Sequence, residues 1–305
     1  MNEKNEIVEY AYAKVNMLLD ATHKREDGYH HLNSIVVPLD LFDEITMEKA
    51  KRMSYSCNDK SLPFDSSNTV VKAVKLMKET FHIKDNYRIK VKKEIPMEAG
   101  LGGGSSDAAA VMRGILRLSS PPTNLSYLEE LGLKIGADVP ACVSQKSVLV
   151  SGIGEVKAHL ERNLDFVFLL VKPQQGISTK LVYDNLNLET CAHPNIENCI
   201  REWKRGNADG VLRHSGNSLE DSTFQLVKEV ADLKAELLSY GFKAVTMAGS
   251  GTTVFASGKT IIETLDIANK FKKRYPFVKV VSSYPLSRDN RPLIDRRTFV
   301  MNHFL

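Results

Sequence analysis

Cysteine is scarce, with four in 305 residues, and tryptophan occurs once. Cys57, Cys142, Cys191 and Cys199 form no Cys-x-x-Cys pair and no metal-ligand spacing. That excludes a disulfide scaffold and a zinc domain, and leaves free thiols, the state expected in a reducing cytosol. No apolar run approaches the ~20 residues of a membrane span. Met1-Asn2-Glu3-Lys4-Asn5-Glu6 lacks the cationic-then-apolar order of a secretion signal. The expected setting is cytoplasmic, with no membrane partner. A strong charge bias is missing too: 41 basic residues face 37 acidic ones, a net +4. That balance gives no argument for a nucleic-acid partner and is compatible with small anionic substrates.

Three common nucleotide signatures are also absent. No Gly-Lys-Ser/Thr closes a Walker loop after a correctly spaced glycine; Gly258-Lys259-Thr260 has the ending, but Thr253 stands where the first glycine belongs. A dinucleotide fingerprint would need glycine or alanine at Ser105 and an acid closing a strand about 20 residues on, where Pro121-Pro122-Thr123-Asn124 stands instead. The protein-kinase set fails as well, with no His-Arg-Asp and with Val167 after Asp165-Phe166.

What the chain does contain is 43 % hydrophobic residues over a length that suits two domains, or one large one, with ample core. It also contains Ile95-Pro96-Met97-Glu98-Ala99-Gly100-Leu101-Gly102-Gly103-Gly104-Ser105-Ser106-Asp107, running into an alanine-rich helix read over 108–118. Four glycines in five positions let the backbone take left-handed angles and approach a ligand closely. Ser105 or Ser106 reads as the N-cap. A glycine bend feeding a helix start aims bare N–H groups and the positive end of the helix dipole at one point, which suits phosphate. A mobile surface loop is the plainer alternative.

Other segments follow in order. In Ala11-Tyr12-Ala13-Lys14-Val15-Asn16, strand alternation puts Lys14 and Asn16 on one face; a solvated edge lysine would explain Lys14 equally. Asp27-Gly28 is a turn before Tyr29 and His30. Asn68 can cap a helix over 69–81, and Tyr87, Ile89 and Val91 alternate with charged residues in a half-buried strand ending near Lys93. Ser126-Tyr127-Leu128-Glu129 reads as a capping box, opening a helix that ends at Gly136. Asp138 follows between Gly136 and Pro140, where an N-cap role is a complete structural reading. Thr179 and Tyr183 lie on a short helix. Phe224, Val227, Val230, Leu233 and Leu237 predict one helix over 224–240. Ala248-Gly249-Ser250-Gly251-Thr252-Thr253 links two strands. From about residue 163 the pattern becomes strand, helices, strand, strand, helix, strand. The expected organisation is therefore α+β in two domains, 1–162 and 163–286, with a basic tail over 287–305.

Taken together, Ala11–Asn16, Pro96–Ala110, Gly136–Pro140 and Ala248–Thr253 resemble, in order, the motifs of the GHMP superfamily of galactokinases, homoserine kinases, mevalonate kinases and phosphomevalonate kinases. With Asp27-Gly28-Tyr29-His30, the likeness is to the branch that phosphorylates the cytidine diphosphate-linked methylerythritol of non-mevalonate isoprenoid synthesis. The resemblance implies a two-lobed fold with the site in its cleft. ATP would be the phosphoryl donor, with Mg2+ arriving on the nucleotide, and the 2-hydroxyl of the small-molecule substrate the acceptor. It makes Lys14 and Asp138 catalytic, Asp138 as general base. It lays ATP along Pro96, Met97, Glu98, Ala99, Gly100, Leu101, Gly102, Gly103, Gly104, Ser105 and Ser106, with Asn68 and Lys93 nearby. Asn16 comes near the substrate, Tyr29 and His30 hold the cytosine, and Thr179 and Tyr183 supply its second wall. Gly249, Ser250 and Gly251 form a third loop over the phosphates. No motif fixes metal ligands, and a monomer or weak homodimer is expected. Tyr12 and Thr252 stand where relatives usually have proline, and Ala248 where they have serine. Another alcohol kinase of the superfamily, or a non-catalytic binding protein on the same fold, remains an alternative.

Overall fold

The computed structural model describes residues 6–283; the tail over 287–305 lies outside them. Strands β1 (Glu6–Lys24) and β2 (His30–Ala50) form an antiparallel hairpin. Its turn uses Gly28 at φ +86°, a left-handed angle that glycine takes without steric cost. The pairing register shifts between Tyr12 and Lys14 and again between Asn16 and Leu18. Such irregularities re-aim side chains and bend the strand, and here they flank both polar residues of the first motif.

The chain continues through β3 (Ser54–Cys57), α1 (Thr69–Thr80), β4 (Asn86–Lys92), α2 (Gly103–Ser119), α3 (Leu125–Gly132), α4 (Val139–Ser144), β5 (Val148–Gly152) and β6 (Glu155–His159). The sheet order is β3-β4-β2-β1, with β5 on the other half of β2's outer edge and β6 beyond it. Apolar faces of α1 and α2 pack on this sheet through Val74, Met77, Ala108, Met112 and Ile115 against Ile45, Met47 and Ile89. The second half runs β7 (Val167–Lys172), α5 (Thr179–Asp184), α6 (Ile196–Arg205), α7 (Ala208–Arg213), β8 (Gly216–Asn217), α8 (Glu220–Leu226), α9 (Lys228–Ser239), β9 (Ala244–Met247), β10 (Val254–Ser257), α10 (Ile261–Phe271) and β11 (Phe277–Ser282). Its antiparallel sheet has the order β11-β7-β10-β9. Strand β8 leaves its own half and pairs in parallel with β1, Leu18 to Gly216 and Leu19 to Asn217.

One hydrophobic cluster joins both sheets. Val15, Met17, Leu18 and Ile35 from the first meet Phe168, Leu170 and Phe255 from the second, together with Trp203 of α6. Burying each such side chain is worth about 1.5–3 kcal/mol, so the lobes share a core instead of meeting at a wet interface.

Three local expectations are corrected. Helix α2 begins at Gly103, not Ala108, and its N-cap is Gly102 in the left-handed conformation, with no side-chain cap. Glycines are poor helix formers, but Gly103 and Gly104 make only the first turn, and Ser106 to Ile115 behind them are buried. Helix α3 is capped by Asn124, whose side chain accepts from Tyr127 N at 2.9 Å, so Ser126 is already inside the helix. The helix predicted over 224–240 is broken at Val227 (φ −137°, ψ 84°) into α8 and α9. Its apolar stripe survives the break because Val227, Val230, Leu233 and Leu237 still face one cluster.

Candidate active site

Lys14 is 4 % exposed, yet it ends beside a carboxylate open to solvent. Its Nζ lies 3.2 Å from Asp138 Oδ2, with the Asp138 side chain 41 % exposed. Asp138 occupies the N-cap position of α4 but makes no capping hydrogen bond. The purely structural role available to an aspartate there is therefore unused, and its charge faces Lys14. On its other side, Lys14 Nζ donates to Asn16 Oδ1 at 2.8 Å; Asn16 Nδ2 donates to Ser34 Oγ at 2.8 Å, and Ser34 Oγ donates to Leu18 O at 2.7 Å. This buried chain holds a long, flexible side chain in one place.

The glycine loop is built against the same lysine. Lys14 N donates to Leu101 O at 3.0 Å. A β-carbon on Gly102 would come within 2.9 Å of the Lys14 side chain, so only glycine fits. The first helical bond of α2 runs from Ser106 N to Gly102 O at 2.8 Å. Amides ahead of it have no intrahelical acceptor and point along the axis. A 17-residue helix adds the positive end of its dipole. An anion held there would lie beside an ammonium, with a carboxylate positioned to take a proton from an attacking hydroxyl.

The third loop completes the enclosure. Gly249 takes φ +54°, and a β-carbon on it would come 2.9 Å from Gly100 O and 3.2 Å from Lys14 Nζ. Gly251 N donates to Ala248 O at 2.9 Å. The two departures in this loop are both fully buried. Thr252 Oγ1 donates to Gln175 O at 2.7 Å, a tether that proline could not supply. Ser250 Oγ lies 2.8 Å from Thr179 Oγ1, so the loop meets the helix expected to face the substrate. The third departure, Tyr12, packs its ring edge-on against Phe42 with centroids 5.5 Å apart.

On the substrate side, His30 is 8 % exposed and stacks on Tyr183 at 5.2 Å between centroids. Burial, then the nearby Lys24 charge, hold its imidazole below the usual range, which keeps it neutral and able both to donate and to accept. The Tyr183 hydroxyl is pushed up by burial and then by the charge of Asp138, so this pair lies within electrostatic reach of the Lys14–Asp138 pair. Tyr29 is 64 % exposed, with its N–H held by Asp27 Oδ1 at 3.1 Å. No ring contact joins Tyr29 to Tyr183 among the described residues.

Several residues expected near the nucleotide have their side chains engaged elsewhere. Asn68 Oδ1 caps α1 through Val70 N at 2.9 Å while its Nδ2 donates to Pro63 O at 2.6 Å. Ser106 Oγ donates to Tyr12 O at 2.6 Å. Lys93 Nζ is shared by Asp43 and by Asp107, 2.7 Å away. It lies 3.3 Å from where a β-carbon on Gly103 would sit, under the start of α2. Burial pushes the Asp107 carboxyl up against the pull of Lys93, and its Oδ1 has no partner. Pro96 is half-buried, while Met97 and Glu98 are exposed.

Sequence reasoning missed Asn217 and Glu220. Asn217 Nδ2 donates to Met247 O at 2.8 Å and Gly249 O at 2.7 Å. Glu220 Oε1 accepts from Thr246 Oγ1 at 2.7 Å and Met247 N at 2.9 Å. The only cue was a polar residue and an acid flanking Leu219 before a helix, a pattern that caps and surface turns also produce.

A two-sheet α+β fold with this lysine, aspartate and pair of glycine loops is that of a small-molecule kinase, and the family models agree. "GHMP kinases N terminal domain" matches residues 68–146, and "GHMP kinases C terminal" matches residues 193–276. The chain belongs to the GHMP kinase family, alongside the 4-diphosphocytidyl-2-C-methyl-D-erythritol kinases. The enzyme of that name from Clostridium perfringens is 37 % identical over 283 residues, spanning 92 % of this chain and 98 % of its own length. The one from Bacillus cereus is 40 % identical over 247 residues, 80 % of this chain and 86 % of its own. A crystal structure of 4-(cytidine 5'-diphospho)-2C-methyl-D-erythritol kinase superposes with a TM-score of 0.76 at 26 % identity, over 92 % of this chain and all of the other. A homoserine kinase from Cytophaga hutchinsonii shares the fold, with a TM-score of 0.73 at 19 % identity over 93 % of this chain and 96 % of the other. Among the described residues no helix is long and apolar enough to cross a membrane.

Proposed function

We propose that this chain uses ATP to phosphorylate the 2-hydroxyl of 4-diphosphocytidyl-2-C-methyl-D-erythritol. The observation that carries the reading is Lys14 Nζ 3.2 Å from Asp138 Oδ2, on a lysine that the glycine loop also touches. Asp138 takes the hydroxyl proton as the oxygen attacks the γ-phosphorus. The bond from that phosphorus to the β,γ-bridging oxygen breaks, and ADP leaves with the electron pair. Lys14 orients Asp138 and neutralises charge on the phosphoryl group in transit. The start of α2 and the loop at Gly249–Gly251 hold the β- and γ-phosphates. One such charge-stabilising contact is worth on the order of 3–4 kcal/mol, and phosphoryl transfer asks for little beyond positioning and charge.

Among the described residues no group of three or more His, Cys, Asp or Glu is arranged to hold a metal. In this reading a divalent cation would arrive with the nucleotide, where it would neutralise charge on the phosphates. His30 and Tyr183 form the edge-reading and stacking side of the cytosine pocket, with Tyr29 as a wall that folds over the base. A domain division near residue 163 is proposed on the change of sheet between β6 and β7.

The test is ADP formation with the cytidine diphosphate-linked alcohol, homoserine and mevalonate in parallel. The expected result is turnover with the first alone. Preference for another alcohol would move the chain to a different branch of the family, and no turnover with any would make it a binding protein.

A further inference from the structure

The motifs leave one fully buried amide unexplained. We propose that Asn217 is a positioning residue that fixes the third loop at a set height over Lys14, so that the loop's backbone meets the nucleotide's phosphates. The inference deepens the kinase reading and rests on it.

Asn217 is 1 % exposed and sits on β8, the two-residue strand laid on β1 opposite Leu19. Ser218 N donates to Leu19 O at 2.9 Å, seating it there. Its Oδ1 accepts from Leu219 N at 2.9 Å, which orients the amide, so that Nδ2 faces the two carbonyls of Met247 and Gly249. Both donor hydrogens are used. The strand before the loop has a separate anchor, because Glu220 already holds Thr246 and Met247 N. Asn217 reaches past the strand end to Gly249, whose backbone packs on Gly100 and Lys14 Nζ.

A closed circuit results. Strand β1 supplies Lys14 directly, and the same strand, through β8 and Asn217, sets the loop that covers Lys14. Loop height is thus referenced to the strand that carries the catalytic cation. Losing two buried donors would free the Gly249 carbonyl and leave it without a partner.

The test is Asn217→Asp, which keeps the shape and the acceptor for Leu219 N. An ionised carboxyl donates to neither carbonyl, and a protonated one donates to a single carbonyl. The readouts are the affinity of a fluorescent non-hydrolysable ATP analogue, measured without acceptor alcohol, and the separate KM values for ATP and for the alcohol. Analogue affinity is expected to fall about tenfold or more, as for two lost buried hydrogen bonds, with the alcohol KM changed by less than about twofold. Lowering the pH should restore part of the binding in the variant, as the carboxyl regains a donor, and none in the wild-type protein. A purely structural role would lower the melting temperature without this split or this pH rescue. Because the analogue needs no alcohol, the result stands apart from the identity of the acceptor. Unchanged analogue affinity, or equal effects on ATP and alcohol, would overturn the proposal. If the variant does not fold by circular dichroism, Gly249→Ala carries the test, since its methyl would collide with Gly100 O and Lys14 Nζ. The same split is expected there, and wild-type analogue affinity in Gly249→Ala would equally overturn it.

Discussion

Gly100 and Ala248 lie so close that a β-carbon on the glycine would fall 1.9 Å from the Ala248 carbonyl oxygen. The glycine loop and the third loop, far apart in sequence, are thus in backbone contact. Gly100 also takes φ +72°. Gly100→Ala is therefore expected to lose about 1–3 kcal/mol of stability through strain and overpacking, and to lower turnover by more than the stability loss explains. Denaturant unfolding and kcat measured on the same preparation check both halves.

The Lys14–Asp138 pair gives a kinetic prediction. Asp138→Asn keeps shape and hydrogen bonding but removes the proton acceptor. Turnover should fall at least about a hundredfold while ATP-analogue affinity stays near wild type. Near-normal turnover would take Asp138 out of the mechanism.

His193 carries a pH prediction. Its Nε2 lies 2.9 Å from Leu188 O and its Nδ1 2.7 Å from Asp20 Oδ1. A carbonyl and a carboxylate both accept, so both ring nitrogens are best served as donors, which favours the protonated ring. The hydrogen bond to Leu188 first, then Asp20, raise its pKa above the ordinary 6.5. A raised folded-state value gives stability that is full below the unfolded pKa and is lost as pH climbs through the folded one. The melting temperature should therefore fall over the range just above about pH 6.5, and His193→Asn should flatten that slope. Identical pH profiles for the two proteins would refute the assignment.

Under the helix start, Lys93, Asp43 and Asp107 make a charge group with a definite order of sensitivity. Asp43 is 0 % exposed and also accepts from Ile95 N at 2.9 Å. Lys93→Met leaves two buried acids without their cation and should cost about 3–5 kcal/mol in urea unfolding. Asp107→Asn removes the acid whose carboxyl burial already pushes up, and should cost under about 1 kcal/mol. The reverse order would mean that Asp107, not Asp43, is the partner Lys93 serves.

Backbone chemistry was legible in the sequence, and amide bookkeeping was not. Gly100, Gly102 and Gly249 could be read because close approach and positive φ admit few residues besides glycine, and each shows that geometry here. Lys14 and Asp138 could be named only through the resemblance of their motifs, because a solvated edge lysine and a helix N-cap explained them equally well; the structure brings their side chains together. Asn68 and Asn217 are the same residue type before a helix or turn. One spends both ends of its amide on a local cap; the other reaches a loop about 30 residues away. Local spacing cannot separate them, because the second partner is set by β8 crossing to β1. The break at Val227 was hidden for a related reason: one apolar stripe serves two short helices as well as one long one.

The crossing of β8 onto β1 also constrains how substrates enter. With Leu18, Phe168 and Trp203 in one apolar mass, prising the halves apart like a jaw would expose that mass to water. A nucleotide would therefore have to enter without the two halves separating.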